Sequence, residues 1–180
     1  MALTSIQKET DRVHRLYDVT GKPFSIWFPI FWKTFRPYEV PPVMGALHLA
    51  ALNGHQQEVH FILDKDKSDI NTTDGTNAFP VIWASLNGHD RVVELLLKRG
   101  ADIDAQGGHY GNALQAACAE RHDNVAQMLL ERGADINAQG GHYGNVLQAA
   151  CAEGHDKIAQ MLLERGADIN AQGREHGNSL

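Results

Sequence analysis

Cysteine is scarce in this sequence. Only Cys118 and Cys151 occur in 180 residues. Two thiols cannot build the disulfide framework of a small secreted fold, and the pattern fits a reducing compartment. Basic runs are missing as well. Nothing offsets a formal net charge of −6, which makes a nucleic-acid backbone or an anionic membrane a poor electrostatic partner. No stretch approaches the ~18 apolar residues of a membrane span. The apolar cluster Phe24–Trp32 is short and interrupted by Pro29. The first residues carry Gln7, Lys8 and Glu9 where an export signal needs an apolar run. The composition that is present, 43% hydrophobic and 21% charged, is that of a folded soluble domain. These features together predict a soluble, cytoplasmic protein.

The dominant positive signal is a period. Residues 109–141 and 142–174 match at 28 of 33 positions. A unit of 33 residues is one of the helical-repeat periods, and such self-similarity decides a fold. Two more divergent copies precede this pair, GALHLAALNGHQQEVHFILDKDKSDINTTD from Gly45 and FPVIWASLNGHDRVVELLLKRGADIDAQGG from Phe79. The Gly-His step recurs at Gly54, Gly88 and Gly154, with Arg121-His122 in the third copy.

Each unit has a physical logic. A first helix is predicted to begin at Gly45, Phe79, Asn112 and Asn145. An Asn side chain there accepts an orphan backbone N–H, and Pro80 falls at the first helical position, where its missing N–H costs nothing. This helix is small-sided, with Ala113, Ala116, Ala117, Cys118 and Ala119 in the third copy, so neighbours can approach closely. After the Gly-His turn, a second helix opens with Asp90, Asp123 or Asp156, each favoured by the positive helix end. That helix carries bulkier residues such as Val125, Met128, Leu129 and Leu130. Gly100, Gly133 and Gly166 stand where it should stop in a left-handed residue. The segment AQGGHYGN then reads as a glycine-rich hairpin. No unit buries its apolar stripe alone, so the units must stack.

On these residues the segment 43–180 resembles an array of ankyrin repeats. The Thr-Pro-Leu-His opening of that family survives in part, as Gly45-Ala46-Leu47-His48, Asn112-Ala113-Leu114-Gln115 and Asn145-Val146-Leu147-Gln148. An Asn-x-x-Gln opening followed by Ala-Ala-Cys-Ala-Glu is similar to the C-terminal arrays of fungal NACHT-type receptor-like proteins. The stretch from Arg15-Leu16-Tyr17-Asp18 resembles the segment that precedes them. The resemblance implies an all-α solenoid that binds another protein through its hairpin tips and the outer edge of its first helices. Carried over residue by residue, that surface comprises Gln106, His109, Glu120, Gln139, His142, Glu153 and Gln172. Tyr110 and Tyr143 join it as tip residues, with the alternative that they only pack the hairpins together.

The N-terminal residues 1–42 form a separate segment. The stripe Leu3, Ile6, Thr10, Val13, Tyr17 predicts a helix over 3–18, and eight aromatic residues lie between Tyr17 and Tyr38. The reading adopted is a cap over the first repeat, since end repeats need one. The alternative is a membrane-associated adaptor anchored by Phe24–Phe35, against which the missing basic face argues.

Ten histidines invite a metal. His55, His89, His122 and His155 recur once per unit, but packed helices put such copies about 10 Å apart, too far to share an ion bound at ~2.0–2.1 Å. They are read as structural side chains bonded to backbone. Cys118 and Cys151 are read as small core residues. Gly21-Lys22-Pro23 fails as a phosphate loop, because Leu16 and Pro23 stand where a glycine and a hydroxyl are required. Ser85, His89 and Asp90 are merely adjacent. No catalytic, cofactor or metal site is predicted, and the chain is read as no enzyme.

The expected architecture is therefore an aromatic cap over 1–42, repeats over 43–74, 75–108, 109–141 and 142–174, and the start of a fifth over 175–180. The expected function is protein recognition, as the sensor or regulatory arm of a larger fungal receptor-like protein. An NTPase fragment with its catalytic domain encoded elsewhere is a third reading. Because repeats three and four are nearly the same, the far side of repeat four should duplicate the surface that repeat three buries. Either the array continues beyond it, or that face finds another chain by self-association, with a closed dimer favoured over open head-to-tail stacking.

Overall fold

A computed structural model of the chain describes residues 43–65 and 68–171. The predicted N-terminal helix and aromatic cap, and the start of a fifth repeat, lie outside the described residues. Among the described residues four helix pairs follow one another: α1 (Ala46–Leu52) with α2 (Gln56–Lys65), α3 (Pro80–Leu86) with α4 (Asp90–Lys98), α5 (Ala113–Ala119) with α6 (Asp123–Glu131), and α7 (Val146–Ala152) with α8 (Asp156–Glu164). A short 3₁₀ turn spans Ser68–Asn71. Strands β1 (Gln139–Gly140) and β2 (Gly144–Asn145) pair antiparallel as the hairpin between the third and fourth pairs. First helices stack in one layer, α1 on α3 on α5 on α7, and second helices stack behind them.

Sequence dictates these boundaries locally. Asn112 and Asn145 stand in extended backbone, and their side-chain oxygens accept the amides of Gln115 and Gln148 at 2.8 Å. Each cap of this kind is worth about 1 kcal/mol. Phe79 and Gly45 hold the equivalent place without a side-chain bond, and Pro80 compensates at the first position of α3. Gly100, Gly133 and Gly166 end the second helices with φ of 101°, 89° and 93°.

The small residues of the first helices are largely buried, except at the end of α7, where Cys151 and Ala152 are exposed. All seven residues of α5 are inaccessible, from Ala113 to Ala119. The second helices contribute one apolar stripe each, Val125, Ala126 and Leu129 in α6 and Ile158 and Leu162 in α8. Burying one such Leu or Ile contributes about 1.5–3 kcal/mol. One continuous cluster runs from Met44 to Leu162.

Across each junction, an imidazole reaches back to the preceding pair. The Nε2 atoms of His89, His122 and His155 lie 2.9–3.0 Å from the carbonyl oxygens of Leu52, Leu86 and Ala119. A carbonyl only accepts, so Nε2 carries the proton. The backbone reading of these histidines is thereby borne out. Two further contacts repeat in step. The amides of Asp102, Asp135 and Asp168 donate to the side-chain oxygens of Asn71, Asp104 and Asn137. Arg99, Arg132 and Arg165 pair with Asp64, Glu94 and Glu131 at 2.8, 2.9 and 4.0 Å.

At Gly54 and Gly88 the glycine of the Gly-His turn is favoured twice over. Its φ is near +70° at Gly54, Gly88 and Gly154. A Cβ on Gly54 would also lie 2.6 Å from the next histidine's Nδ1, and one on Gly88 would collide with the His122 ring. On Gly154 a Cβ would meet nothing within 4 Å. Arg121 occupies this position in the third pair at φ 60°, the left-handed conformation expected for it.

Cys118 is fully buried, but Cys151 is exposed, which corrects its reading as a core residue. Its counterpart is covered by the next helix pair, and among the described residues no such pair follows α7 and α8.

Gly88→Ala should destabilise by about 1–2 kcal/mol more than Gly154→Ala, because only the first drives a methyl into the ring that holds the junction. Arg121→Gly should stabilise by about 1 kcal/mol by removing left-handed strain. Urea unfolding of the three variants decides; equal losses for the two alanines would refute the steric account.

His89 makes stability pH-dependent. Burial lowers its pKa from 6.5, opposed by the bond to Leu52 and assisted by the neighbouring His122 and His55. The folded state therefore favours the neutral ring. Its contribution is complete above the unfolded pKa and is lost as pH falls below it. Melting temperature should drop as pH falls below about 6.5, and His89→Gln should flatten that drop.

Candidate functional site

The hairpins and the ends of the first helices form one strip along the stack. At its tips stand His109 and His142, both exposed. Their rings stack with centroids 4.7 Å apart and an interplanar angle of 19°. This is far closer than the helix spacing predicts for residues one repeat apart, because the hairpins lean together. The amide of His142 donates to the carbonyl of His109 at 2.7 Å, which fixes the two tips relative to each other.

Tyr110 and Tyr143 lie beneath the tips and are half-buried. Each ring meets its neighbouring histidine edge-on, and the two tyrosine centroids are 6.3 Å apart. Their hydroxyls donate to Glu120 at 2.6 Å and to Glu153 at 2.5 Å. Each tyrosine thus ties its hairpin tip to the end of the first helix ten residues on. This supports the packing alternative for the rings, while the carboxylates remain exposed on the same strip.

Glycines make this closeness feasible. Gly141 lies against the Tyr110 and Gly111 backbone with φ 63°, so a side chain there would strike the neighbouring hairpin. Gln106 is exposed, and its side-chain oxygen rests over Gly140. Gln139 is exposed and pairs in register with Asn145. Below them Gln115, fully buried, donates to the Gly140 carbonyl at 2.9 Å. Gln172 lies outside the described residues. The other eight candidates, Gln106, His109, Tyr110, Glu120, Gln139, His142, Tyr143 and Glu153, thus belong to one hairpin-and-helix-end region, with both tyrosine–glutamate pairs and both imidazoles in mutual contact.

Sequence reasoning missed a second polar cluster. Asp74 is buried and accepts from Thr76 and Ala78 through one oxygen and from the Trp83 ring nitrogen, at 2.7 Å, through the other. It braces the first hairpin, where repeats three and four use the tyrosine–glutamate pair. The regular spacing of Arg99, Arg132 and Arg165 was legible in the sequence, but that of their partners Asp64, Glu94 and Glu131 is irregular.

Chemically, the strip offers carboxylates, amides and imidazoles for hydrogen bonding, together with aromatic area. Among the described residues no group of three or more histidine, cysteine or carboxylate side chains is placed to hold a metal ion. No described helix is long and apolar enough to cross a membrane.

A stack of helix pairs with a row of hairpin tips defines a repeat solenoid of the recognition type. The sequence pattern of ankyrin repeats (3 copies) matches residues 42–107 and 106–173, and the chain belongs to the ankyrin-repeat family. Among its relatives are palmitoyltransferase akr1 of Schizosaccharomyces pombe, 40% identical over 74 residues, and palmitoyltransferase AKR1 of Naumovozyma castellii, 34% identical over 93. These matches cover 41% and 51% of this chain but only 11% and 12% of the relatives. Ankyrin repeat and SAM domain-containing protein 6 of Mus musculus is 34% identical over 79 residues, 44% of this chain and 8% of that protein. The chain therefore matches about a tenth of the length of these relatives.

These matches overturn the reading of the chain as no enzyme, since two of the relatives are named as enzymes. The physical reason is plain. Missing catalytic motifs in a repeat array speak only for the array, and the matches fall on the ankyrin region.

Tyr143 provides a spectroscopic check of the strip. Its phenol is pushed above the usual range, first by burial and then by the hydrogen bond to Glu153, since a phenolate beside a carboxylate is disfavoured. In an alkaline ultraviolet titration one tyrosine should ionise late. Glu153→Gln should bring that step partly back toward pH ~10; an unchanged profile would dissociate Tyr143 from Glu153.

Proposed function

We propose that this chain is a recognition arm that binds another protein along the strip formed by its hairpin tips and first-helix ends. The observation that carries the reading is the interlocked set of His109, His142, Tyr110–Glu120 and Tyr143–Glu153. Their rings and hydroxyls are already ordered by contacts across neighbouring hairpins. A partner then loses little side-chain freedom in docking, and preordering of this kind converts contact area into affinity. Ankyrin arrays commonly mediate protein binding, which supports the general reading. The narrower one, the sensor or regulatory arm of a fungal NACHT-type receptor-like protein, rests on the Asn-x-x-Gln and Ala-Ala-Cys-Ala-Glu pattern of repeats three and four.

A second reading is favoured by a specific observation. Identity of 40% to a palmitoyltransferase over 74 residues supports an array that selects proteins for an acyl-transfer enzyme. Both readings use the same strip and differ in what binds there.

Affinity capture from an extract of the source cells tests them together. The wild-type chain should retain a protein that the double variant His109→Ala, His142→Ala loses, while Arg91→Ala, an exposed change on a second helix, keeps it. Captured proteins carrying thioester-linked palmitate would favour the second reading. Equal capture by all three chains would refute recognition through the strip.

A further inference from the structure

The four first helices end on equivalent residues, Asn53, Asn87, Glu120 and Glu153. In the first two pairs the side-chain amide turns back into its own helix. Asn53 donates to the Leu49 carbonyl and Asn87 to the Trp83 carbonyl, both at 3.0 Å. The hairpin that leads into the second pair is equally self-contained, since the Thr76 hydroxyl donates to Asp74 at 2.6 Å. In the third and fourth pairs the chemistry changes. Carboxylates replace the amides, and tyrosines in the hairpins bond to them. The strip therefore has a neutral half and an anionic, aromatic half.

Each of the two carboxylates accepts one tyrosine hydroxyl. An ionised carboxylate has about four acceptor sites, so most of its capacity is left over. Both residues are exposed. Neither forms an ion pair among the described residues, where the arginine row meets Asp64, Glu94 and Glu131 instead. Arg121 follows Glu120 in sequence but lines a hollow beside Asp123 and Asp156. The two carboxylates also act as one field. The Tyr143 phenol is pushed up by burial first, then by Glu153, and also by Tyr110 and Glu120 across the neighbouring hairpin. Rings border this field closely, with tyrosine centroids 6.3 Å apart.

We propose that the Tyr110–Glu120 and Tyr143–Glu153 half of the strip takes arginine side chains from an extended basic segment of the partner protein. The proposal rests on the strip being the recognition surface and adds the chemistry of what docks there. A planar guanidinium can lie on a phenol ring while its N–H groups reach the carboxylate beside that ring. An ammonium offers only a point charge, so lysine fits less well. A chain of net charge −6 attracts such a segment and opposes an acidic one. Neighbouring helices pack about 10 Å apart. A polyproline-type segment rises ~3.1 Å per residue and returns to the same face every three residues. Arginines three residues apart thus match carboxylates one repeat apart.

Two capped peptides test this on the full chain: acetyl-Ala-Arg-Pro-Pro-Arg-Ala-amide, and the same peptide with neutral citrulline for both arginines. Ring-proton NMR is the readout. The arginine peptide should shift the Tyr110 and Tyr143 resonances saturably at millimolar concentration, and added sodium chloride should weaken it. The double variant Glu120→Gln, Glu153→Gln keeps an oxygen for each tyrosine hydroxyl and should bind about fivefold more weakly. Asn87→Ala, in the neutral half, should leave the affinity unchanged. Equal binding of the citrulline peptide, unchanged affinity in the glutamine variant, or no saturable shift with the arginine peptide overturns the proposal. Should the glutamine variant fail to fold, the two peptides and the salt series on the unaltered chain still decide. Capture of a protein that is lost in His109→Ala, His142→Ala but kept in the glutamine variant would retain the strip as the recognition surface and overturn the arginine assignment alone.

Discussion

The bond from an imidazole Nε2–H to a carbonyl at the end of the preceding first helix sets the geometry of the whole stack. It is made at three junctions with nearly the same length. The ring lies over a turn in left-handed backbone, and at Gly54 and Gly88 no Cβ intervenes between turn and ring. That close approach brings the first helices together, and close first helices require alanine and cysteine along their sides. The small-residue pattern, the turn glycine and the histidine are three expressions of one spacing. Partial burial also disfavours the charged ring of His89, which couples the stack to acidity.

The strip depends on the same spacing. Helix pairs held this close let the hairpins lean until His109 and His142 stack and Tyr110 approaches Tyr143. Gly141 has to be glycine because the neighbouring hairpin backbone occupies the place of a side chain. The proposed recognition and the stability of the stack thus rest on the same residues. The tyrosine that holds a tip in place also orients the carboxylate beside it.

Most of the fold was legible in the sequence. The period, the Asn caps, Pro80 and the left-handed glycines are local signals, and local chemistry governs them. The φ of Arg121 could be read from the company it keeps at Gly54, Gly88 and Gly154. What escaped was set by stacking rather than by the single repeat. The helix-spacing rule applied to His55, His89, His122 and His155 does not extend to the tips, where the rings of His109 and His142 touch because hairpins can tilt where helices cannot. Cys118 and Cys151 have the same neighbours in sequence and opposite exposure, since burial depends on the next unit. The Asp74–Trp83 bond joins residues outside the repeated pattern, across the boundary between the two divergent copies. The ion-pair row was hidden by its partners, which stand 35, 38 and 34 residues away from Arg99, Arg132 and Arg165 rather than one fixed period. As for function, motif absence proved a weak guide, because ankyrin stretches similar to this one also occur within proteins named for chemistry.

The near-duplication of repeats three and four has a consequence for inheritance. In an ordinary domain, copying a segment adds a piece with no place to go. Here the copied segment carries both halves of a fitting, the plug on one side and the socket on the other. Unequal recombination between the two stretches would give chains one tooth longer or shorter, each with an intact joint. The length of the reading strip is then a heritable variable that changes in whole steps, while the rules of assembly stay constant.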